Sequence, residues 1–394
     1  MKIGYFITRF PYKKLLDDNE HFLNYSYGGA EIAAFHLAKQ MAQRGHEIKV
    51  FTTSKNADDE IETYDNIEIY RFGTNFKLEK GSFSINLLKK PILTDLDIIH
   101  NHFTTPIGDI AAFYYLKKKK LPFVVTYHGD GQENYGNILR RFIVSFHNRF
   151  IIKKLLGKAN TIISPSEEYI NESRFLREFR DKITVIPNGV KVEDLEINIS
   201  KEEIRKKLDL PKNAKIILFV GSLIPYKGPE VLVKAMQEVL KNIPQALLIM
   251  LGEGMMKDEL KKLAKDLGIE ENIIFAGFVG GQKKSMYYNC ADVFCLPSTL
   301  NTEVFPIVLL EASAAGLPII VSDLKTFDCI IEHNYNGFVT VKNNVSDLSK
   351  SIIKILNDEN LRNNIGKNAK IKIKNFSWEN IAKITETVYE ELIL

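Results

Sequence analysis

The sequence predicts an α/β protein built from two doubly wound domains. The chain has 394 residues, which exceeds one typical domain and suits two. Short apolar runs alternate with segments of helical periodicity, and this alternation starts again at Lys215. Because a β-α-β alternation implies a parallel sheet covered by helices on both faces, each half of the chain is expected to form one Rossmann-like domain.

The first half is predicted to begin with a buried strand at 2–8 and a helix at 31–44, which ends at Gly45. Its further predicted strands are 47–53, 97–100, 122–126, 161–164 and 183–186. In the second half the predicted strands are 215–220, 246–251, 273–275, 293–296 and 318–321. The predicted helices between them are 229–241, 255–267, 285–290 and 306–315.

The chain ends in a segment, 377–394, that has the pattern of an amphipathic helix. Ser377 is a suitable N-cap for it, and Trp378 is a large apolar anchor. We therefore expect a first domain of residues 1–195, completed by the helix 377–394, and a second domain of residues 196–376.

Composition excludes several classes of protein. Apolar residues make up 45% of the chain and charged residues 26%, which is typical of a globular protein and not of a disordered or polytopic membrane protein. The three cysteines do not suggest a disulfide framework or a zinc site and are expected as buried thiols in a reducing cytoplasm. The N-terminal residues do not resemble a signal peptide, and no apolar run reaches the roughly 18 residues of a membrane span.

Positive charge is concentrated in residues 113–160, which contain ten lysines and arginines against two acidic residues. Within this region, Asn137–Lys158 has an apolar stripe and a strongly basic remainder. Such a segment is typical either of an ordinary surface helix or of a helix that lies on an anionic membrane, so peripheral contact with the inner face of a membrane is one alternative. Nucleic acid is not an expected partner, since no recognition motif accompanies the basic residues.

Ligands of open α/β sheets bind at the carboxyl ends of the strands, so the residues after each predicted strand are the candidates. The first strand is not followed by the G-x-G-x-x-G fingerprint, which argues against an NAD enzyme. It leads to Gly28 and Gly29, which precede a helix and suit either the approach of an anion or a plain turn.

Three histidines follow two neighbouring predicted strands. His100 and His102 are two residues apart and so share one face of the chain, which makes a metal pair conceivable, but no carboxylate or cysteine stands at ligand spacing. We favour polar strand ends that line a ligand site. His128, which precedes a glycine, is suited to donate a hydrogen bond to a sugar hydroxyl or a developing charge.

Lys227 stands in a glycine-flanked turn, Gly221–Gly228, at the start of a predicted helix. The turn is not a P-loop, because the spacing G-x-x-x-x-G-K-[ST] is not met. A lysine at a helix start still neutralises a phosphate as a point charge, aided by the partial positive charge of the helix end.

Glu303 and Glu311 are eight residues apart, about 12 Å along a helix axis. This separation is too large for an acid and a base acting on one bond, and it suits a long ligand. Glu311 lies in an apolar run, where a carboxylate needs hydrogen-bond donors such as ribose hydroxyls.

Taken in order, these motifs resemble the retaining, GT-B-fold glycosyltransferases of family 4. The resemblance spans almost the whole chain and rests on these segments: Gly28-Gly29-Ala30-Glu31, Gly45-His46-Glu47, His100-Asn101-His102, Thr126-Tyr127-His128-Gly129, Pro187-Asn188-Gly189-Val190, Val220-Gly221-Ser222-Leu223, Lys227-Gly228, Gly252-Glu253-Gly254, Glu303 with Phe305 and Glu311, and Phe376-Ser377-Trp378.

The resemblance implies two domains facing across a cleft and a nucleotide-diphosphate sugar held mainly by the second. It assigns Lys227 to the diphosphate, Glu303 to the donor sugar, Glu311 to the ribose, and His128 to the sugar being transferred. The further implied donor-binding residues are Gly29 near the phosphates, the main chain of Val304, Phe305, Pro306 and Ile307, and Gly252, Glu253, Gly277, Phe278 and Val279 near the base.

The implied reaction moves a hexose to a glycan, a lipid or a small molecule with retention of configuration, by front-face attack and without a metal or other cofactor. One position departs from the family, since Ser222 stands where an arginine is frequent, and this puts the detail of phosphate binding in doubt. Two alternatives remain: a nucleotide-sugar 2-epimerase of the same fold, and a non-catalytic nucleotide-sugar binder.

Overall fold

The computed structural model describes residues 1–12, 28–78, 81–131, 133 and 137–394. These residues divide into two compact units. The first contains the described residues from Met1 to Asn188 together with Trp378–Leu394, and the second contains Gly189–Ser377. The α/β class and the doubly wound organisation predicted from the sequence are confirmed, and each unit has its own sheet.

The first unit is built on a sheet of eight strands in the order β10-β9-β8-β7-β1-β2-β4-β3. Neighbouring strands are parallel except β3 and β4, an antiparallel hairpin that sequence analysis missed. The strands are β1 (Lys2–Phe6), β2 (Glu47–Thr53), β3 (Glu60–Tyr64), β4 (Ile67–Phe72), β7 (Ile98–Phe103), β8 (Phe123–Tyr127), β9 (Thr161–Ser164) and β10 (Ile183–Val185), with a separate small hairpin of β5 (Phe76–Leu78) and β6 (Gly81–Phe83).

Helices of the first unit lie between its strands, and one comes from the end of the chain. They are α1 (Gly29–Gln43), α2 (Ile85–Lys89), α3 (Pro106–Lys119), α4 (Ile138–Phe150), α5 (Ile152–Lys158), α6 (Glu167–Glu172) and, last in sequence, α14 (Trp378–Ile393). Trp378 stacks on His36 of α1 at 5.4 Å between ring centroids, and Glu386 pairs with Arg44 and His46. These contacts fasten the C-terminal helix to the first unit.

The second unit has a wholly parallel sheet of six strands in the order β13-β12-β11-β14-β15-β16. The strands are β11 (Lys215–Val220), β12 (Ala246–Leu251), β13 (Ile273–Gly277), β14 (Val293–Leu296), β15 (Ile319–Ser322) and β16 (Gly337–Thr340). The helices are α7 (Lys201–Lys207), α8 (Pro229–Asn242), α9 (Lys257–Asp266), α10 (Gly281–Cys290), α11 (Ile307–Ala314), α12 (Val345–Asn357) and α13 (Glu359–Lys372).

The strands of this second sheet are almost continuously apolar, as expected for strands covered on both faces. Every residue of β12 and β14 is buried. The unit begins seven residues before the predicted boundary, because the backbone N–H of Val190 donates to the carbonyl oxygen of Phe376 at 2.7 Å and ties residue 190 to the end of the second unit.

Candidate functional site

The turn after β11 places Lys227 beside Glu303. Gly228 has φ +68°, and a Cβ there would lie 1.9 Å from the carbonyl oxygen of Pro297, so only glycine lets the turn pack this closely on the loop after β14. Nζ of Lys227 lies 2.5 Å from Oε1 of Glu303, and both side chains are largely buried. Glu303 stands four residues before helix α11, further from it than sequence analysis predicted.

The loop that carries Glu303 contains buried polar atoms without hydrogen-bond partners among the described residues. Oε1 of Glu303 is close to Lys227, yet it takes part in no aligned hydrogen bond with the described residues, so the contact is electrostatic. The hydroxyls of Ser298 and Thr302, in the same loop, are also buried without a partner among those residues. Since buried polar groups are normally hydrogen-bonded, this loop has unused capacity for a polar ligand.

Glu311 is the fifth residue of α11, and two side chains of α10 bond to its carboxylate. Nζ of Lys284 lies 2.6 Å from Oε1, and the hydroxyl of Tyr288 donates to Oε2 at 2.8 Å. Burial, with the adjacent carboxylate, raises the pKa of Tyr288 well above its ordinary value, so the phenol keeps its proton. Sequence analysis missed Lys284 and Tyr288, although their spacing of four residues places them on one face of a helix.

The two glycine-containing loops assigned to the base lie against each other. The N–H of Gly252 donates to the carbonyl oxygen of Gly277 at 2.7 Å. A Cβ on Gly277 would come 2.9 Å from Oε1 of Glu253, and Glu253 pairs with Lys257 at 2.7 Å. Phe278 is 38% exposed.

In the first unit, Glu31 organises the start of helix α1. Its Oε2 accepts from the N–H of Gly28 at 2.8 Å, and its Oε1 accepts from Arg9 at 2.9 Å. A Cβ on Gly29 would meet no atom of the described residues within 4 Å. The helix start is therefore capped by a carboxylate at Gly28, and the described part of the chain leaves space at Gly29.

The three histidines form a stack in the first unit. Strand β7 extends to Phe103, so His100 and His102 lie within it, both buried; the prediction that they follow the strand was wrong. His102 Nδ1 lies 3.2 Å from His128 Nε2, and His100 is bonded to Thr126 and Tyr389. Burial lowers the pKa of His100 to about 3 and that of His128 to about 4.

Solved structures share the fold of this chain over nearly its whole length. Sucrose-phosphate synthase from Thermosynechococcus elongatus aligns with a TM-score of 0.78 and 21% identity, covering 99% of this chain and 98% of that one. Anabaena Alr3699/HepE in complex with UDP-glucose aligns with a TM-score of 0.75 and 19% identity, covering 99% of this chain and all of that one.

Family models match both halves of the sequence. Residues 27–194 match Glycosyltransferase Family 4, and residues 200–372 match Glycosyl transferases group 1. The uncharacterized glycosyltransferase MJ1607 of Methanocaldococcus jannaschii is 30% identical over 377 residues, which cover 92% of this chain and 94% of the relative. The chain is a GT-B glycosyltransferase. Alpha-monoglucosyldiacylglycerol synthase of Acholeplasma laidlawii is 28% identical to this glycosyltransferase over 93% of it and 94% of the relative.

The described part of this glycosyltransferase brings the predicted residues of the second unit together in pairs. Lys227 meets Glu303, and the loop of Gly252 meets that of Gly277. The side chains of the segment 304–307 are buried, and contact of its main chain with a ligand stays a prediction. Ser222 is exposed after β11.

No metal centre is evident among the described residues, where no three side chains of histidine, cysteine, aspartate or glutamate are grouped to hold an ion. The expectation that the enzyme works without a metal or other cofactor stays a prediction. Within the same residues, no helix is both long and apolar enough to cross a membrane.

Proposed function

We propose that this glycosyltransferase transfers a hexose from a nucleotide-diphosphate sugar, with retention of configuration, to a glycan, a lipid or a small molecule. The observation that carries the proposal is the buried pair of Lys227 and Glu303, in whose loop the hydroxyls of Ser298 and Thr302 have no partner among the described residues. A cation, a carboxylate and two hydroxyls with free hydrogen-bonding capacity toward the described part of the chain form a set of groups suited to a diphosphate joined to a sugar.

In this proposal Lys227 binds the diphosphate and leaves its contact with Glu303 when the donor enters. Because the contact is not an aligned hydrogen bond, both groups gain better partners: Lys227 finds phosphate oxygens, and Glu303 accepts from sugar hydroxyls. The unpaired amides at the start of α11 add positive potential where the diphosphate departs.

Glu311 is proposed to bind the ribose. An ionised carboxylate has about four lone-pair positions, of which Lys284 and Tyr288 use two. The remaining positions accept from the two ribose hydroxyls. Lys284 also neutralises the carboxylate, which makes the burial of Glu311 tolerable before the donor binds.

The proposed chemistry is a front-face displacement. The bond between the anomeric carbon and the diphosphate oxygen breaks, the acceptor oxygen bonds to the same face, and its proton passes to the departing diphosphate. Lys227 stabilises the charge that develops on the leaving group, and His128, neutral because its pKa is about 4, donates a hydrogen bond to the transferring sugar. Catalysis then consists of positioning and electrostatic stabilisation.

The donor is tested by a thermal-shift screen with UDP-, GDP- and ADP-sugars, because a ligand that binds only the folded state raises Tm. UDP-glucose is the first probe, since HepE was solved with it. The positive donor is then incubated with an acceptor panel, and the anomeric configuration of the product is read by NMR. An inverted product contradicts the proposed stereochemistry; interconversion of two sugars without acceptor identifies an epimerase; donor binding without turnover identifies a binder.

Helix α4 supports a second proposal, peripheral binding to an anionic membrane surface. Its outer face exposes Ile138 (84%), Phe142 (68%) and Phe146 (51%), together with Leu139 and Phe150. Arginines at 140, 141 and 149 and lysines at 153, 154 and 158 accompany this apolar face. An exposed apolar ridge flanked by basic residues suits insertion at the level of anionic headgroups.

The inner side of α4 is fixed to the first unit, so the ridge is a rigid feature. Nδ2 of Asn148 donates to the carbonyl oxygen of Gly131 at 2.9 Å and to Oε1 of Glu133 at 2.8 Å, and His147 lies 3.1 Å from Asp109. The Acholeplasma relative is named as a synthase of a glucosyldiacylglycerol. A lipid acceptor would give the exposed ridge a role, because it would hold the enzyme where that acceptor is.

Vesicle flotation tests the membrane proposal. The protein is expected to float with vesicles that contain phosphatidylglycerol, less so in 0.5 M salt, and not with vesicles of phosphatidylcholine alone. The double variant Phe142→Ser/Phe146→Ser is expected to lose binding. The matched control is Ile61→Ser/Leu93→Ser, which removes two apolar side chains elsewhere on the unit that are more exposed still, at 69% and 84%. Equal flotation of both variants would end the proposal.

A further inference from the structure

The ring of His102 is held between two other histidine rings. Its centroid lies 4.3 Å from that of His100 and 5.5 Å from that of His128, both in stacked orientation. Nδ1 of His102 is 3.2 Å from Nε2 of His128. Nε2 of His102 is buried and has no hydrogen-bond partner among the described residues.

The position of the shared proton follows from counting donors. A hydrogen bond between two neutral imidazoles uses one proton, which belongs to one of the two rings. If His128 were the donor, neutral His102 would carry its own proton on Nε2, as a buried N–H without an acceptor. If His102 is the donor, its Nε2 keeps only a lone pair. Because a buried donor without an acceptor is the costlier defect, His102 donates from Nδ1.

Both the His102 and the His128 ring are neutral near neutral pH, so each carries one ring proton. Burial lowers the pKa of His102 well below its ordinary value, and the neighbouring His100 and His128 lower it further. Burial also lowers the pKa of His128 to about 4, although the charge of Glu31 opposes this shift. Each ring therefore carries a single proton and exists as one of two tautomers.

His100 does not disturb this arrangement, because its own proton is committed elsewhere. The hydroxyl of Tyr5 is fully buried and bonds to that of Tyr389 at 3.3 Å. With Tyr5 as donor, Tyr389 donates to Nδ1 of His100 at 2.5 Å, and Nε2–H of His100 donates to Thr126 at 2.7 Å. The hydroxyls of Tyr5 and Tyr389 and the Nε2–H of His100 then each have an acceptor. His100 therefore serves as a fixed surface on which His102 stacks.

We propose that His102 is a positioning residue that fixes His128 in the tautomer with its proton on Nδ1. His128 then offers a ligand a neutral N–H donor at Nδ1, while its Nε2 lone pair is occupied by His102. Such a ring binds a hydroxyl or phosphate oxygen and does not act as a base toward it. The hydrogen bond from His128 to a ligand rests on the proposed transfer from a nucleotide-sugar. The tautomer of His128 does not depend on that function.

The tautomer is read directly by NMR of the ligand-free protein. Histidine-selective ¹⁵N labelling and two-bond ¹H–¹⁵N correlations at pH 7 distinguish the protonated from the bare nitrogen in each of the eight histidines. The His128→Gln spectrum assigns the His128 signals by their loss. We expect protonated Nδ1 and bare Nε2 in His128; the opposite pattern, or a mixture in the wild type, overturns the proposal.

Two substitutions of nearly equal shape separate donation from packing. Asparagine at 102 places an amide N–H close to the position of Nδ1, whereas leucine has none. We expect His102→Leu to give His128 mixed tautomers and to lower the transfer rate about 3- to 10-fold, the value of one hydrogen bond. His102→Asn should restore the single tautomer and most of the rate.

Equal losses in the two variants would assign His102 a merely structural role, and an unchanged tautomer in His102→Leu would show that His128 is fixed by another group. If His102→Leu does not fold, the wild-type and His102→Asn spectra still decide the tautomer. Because these spectra need no donor, they succeed or fail independently of the proposed function, which is tested by the thermal-shift screen.

Discussion

Lys227 and Glu303 form an ion pair across two loops of the second unit, with Nζ 2.5 Å from Oε1. The two side chains are 15% and 8% exposed, so each charge depends on the other in the ligand-free protein. Variants of the pair are therefore expected to change both the stability of the ligand-free protein and the binding of the donor, and the two effects can be measured separately.

Removing one partner should cost more stability than removing both. Lys227→Met leaves Glu303 buried without its cation, and we expect a loss of about 3 kcal/mol in the free energy of unfolding. The double variant Lys227→Met/Glu303→Gln should recover much of that loss because no charge remains unpaired. Thermal denaturation of Lys227→Met, Glu303→Gln, the double variant and the wild type is the measurement. A double variant less stable than both single variants would contradict the expected coupling.

The same variants should affect the donor differently. Lys227→Met is expected to weaken binding of the nucleoside diphosphate about 10- to 100-fold, since a charge-assisted contact is lost. Glu303→Gln should bind the free nucleoside diphosphate as well as the wild type does, but transfer the sugar more slowly. Calorimetric titration with UDP, followed by a transfer assay, distinguishes the two. Weakened UDP binding in Glu303→Gln would place that carboxylate nearer the phosphates than we infer.

The hydroxyl of Tyr288 should stabilise the second unit through Glu311. Tyr288→Phe removes a donor to a largely buried carboxylate, and we expect a loss of about 1.5–3 kcal/mol, visible as a lower Tm. Tyr287→Phe is the matched control, because it deletes the hydroxyl of the adjacent residue, which makes no hydrogen bond to Glu311 among the described residues. If the two variants melt at the same temperature, the bond from Tyr288 to Glu311 contributes nothing.

Acid should destabilise the first unit through its histidine stack. The pKa values of His100 and His128 are lowered to about 3 and about 4, so below their unfolded value near 6.5 the unfolded chain binds protons that the folded one does not. The contribution of these histidines to the free energy of unfolding is therefore complete above pH 6.5. Between pH 6.5 and pH 4 it falls by up to about 1.4 kcal/mol per pH unit for each histidine.

We test this with Tm measured from pH 7.5 to 4.5 for the wild type and for His100→Gln, which retains polar atoms but does not titrate. The variant should lose less stability than the wild type over this range. Parallel pH profiles would mean that His100 binds its proton equally well in the folded and the unfolded chain, which contradicts the lowered pKa.

A methyl group at Gly228 should disturb the site through the backbone. Gly228 has φ +68°, and an added Cβ meets Pro297 at 1.9 Å; Gly268 has the same φ, but a Cβ there meets nothing within 4 Å. Gly268→Ala isolates the strain of the left-handed conformation, about 1–2 kcal/mol. Gly228→Ala should lose clearly more and should also weaken UDP binding, because Lys227 moves with the turn. Equal Tm values for both would show that the loop of Pro297 yields without cost.

Parts of the fold that follow from local periodicity were predictable. The bounds of β2, β9, β11, β12 and β14 match the prediction, because each is a short apolar run between polar residues. The hairpin of β3 and β4 was missed since its strands alternate polar and apolar residues at an edge, without a long apolar run.

The site was only partly predictable. Spacing indicated Lys227, Glu303 and Glu311, but the partners Lys284 and Tyr288 come from another helix, and their contact depends on tertiary packing. His100 and His102 were expected after a strand because histidine is polar. They lie inside it because hydrogen bonds and ring stacking replace the water that they lose.

The helix that completes the first unit is translated after the entire second unit. Tyr389 and Trp378 reach His100 and His36 only after the entire second unit has been translated, so the amino-terminal sheet spends most of synthesis with its final covering absent. The first unit therefore cannot complete its fold before the second unit has been synthesised. Loss of the sixteen-residue helix α14 by proteolysis would therefore damage the unit that is translated first.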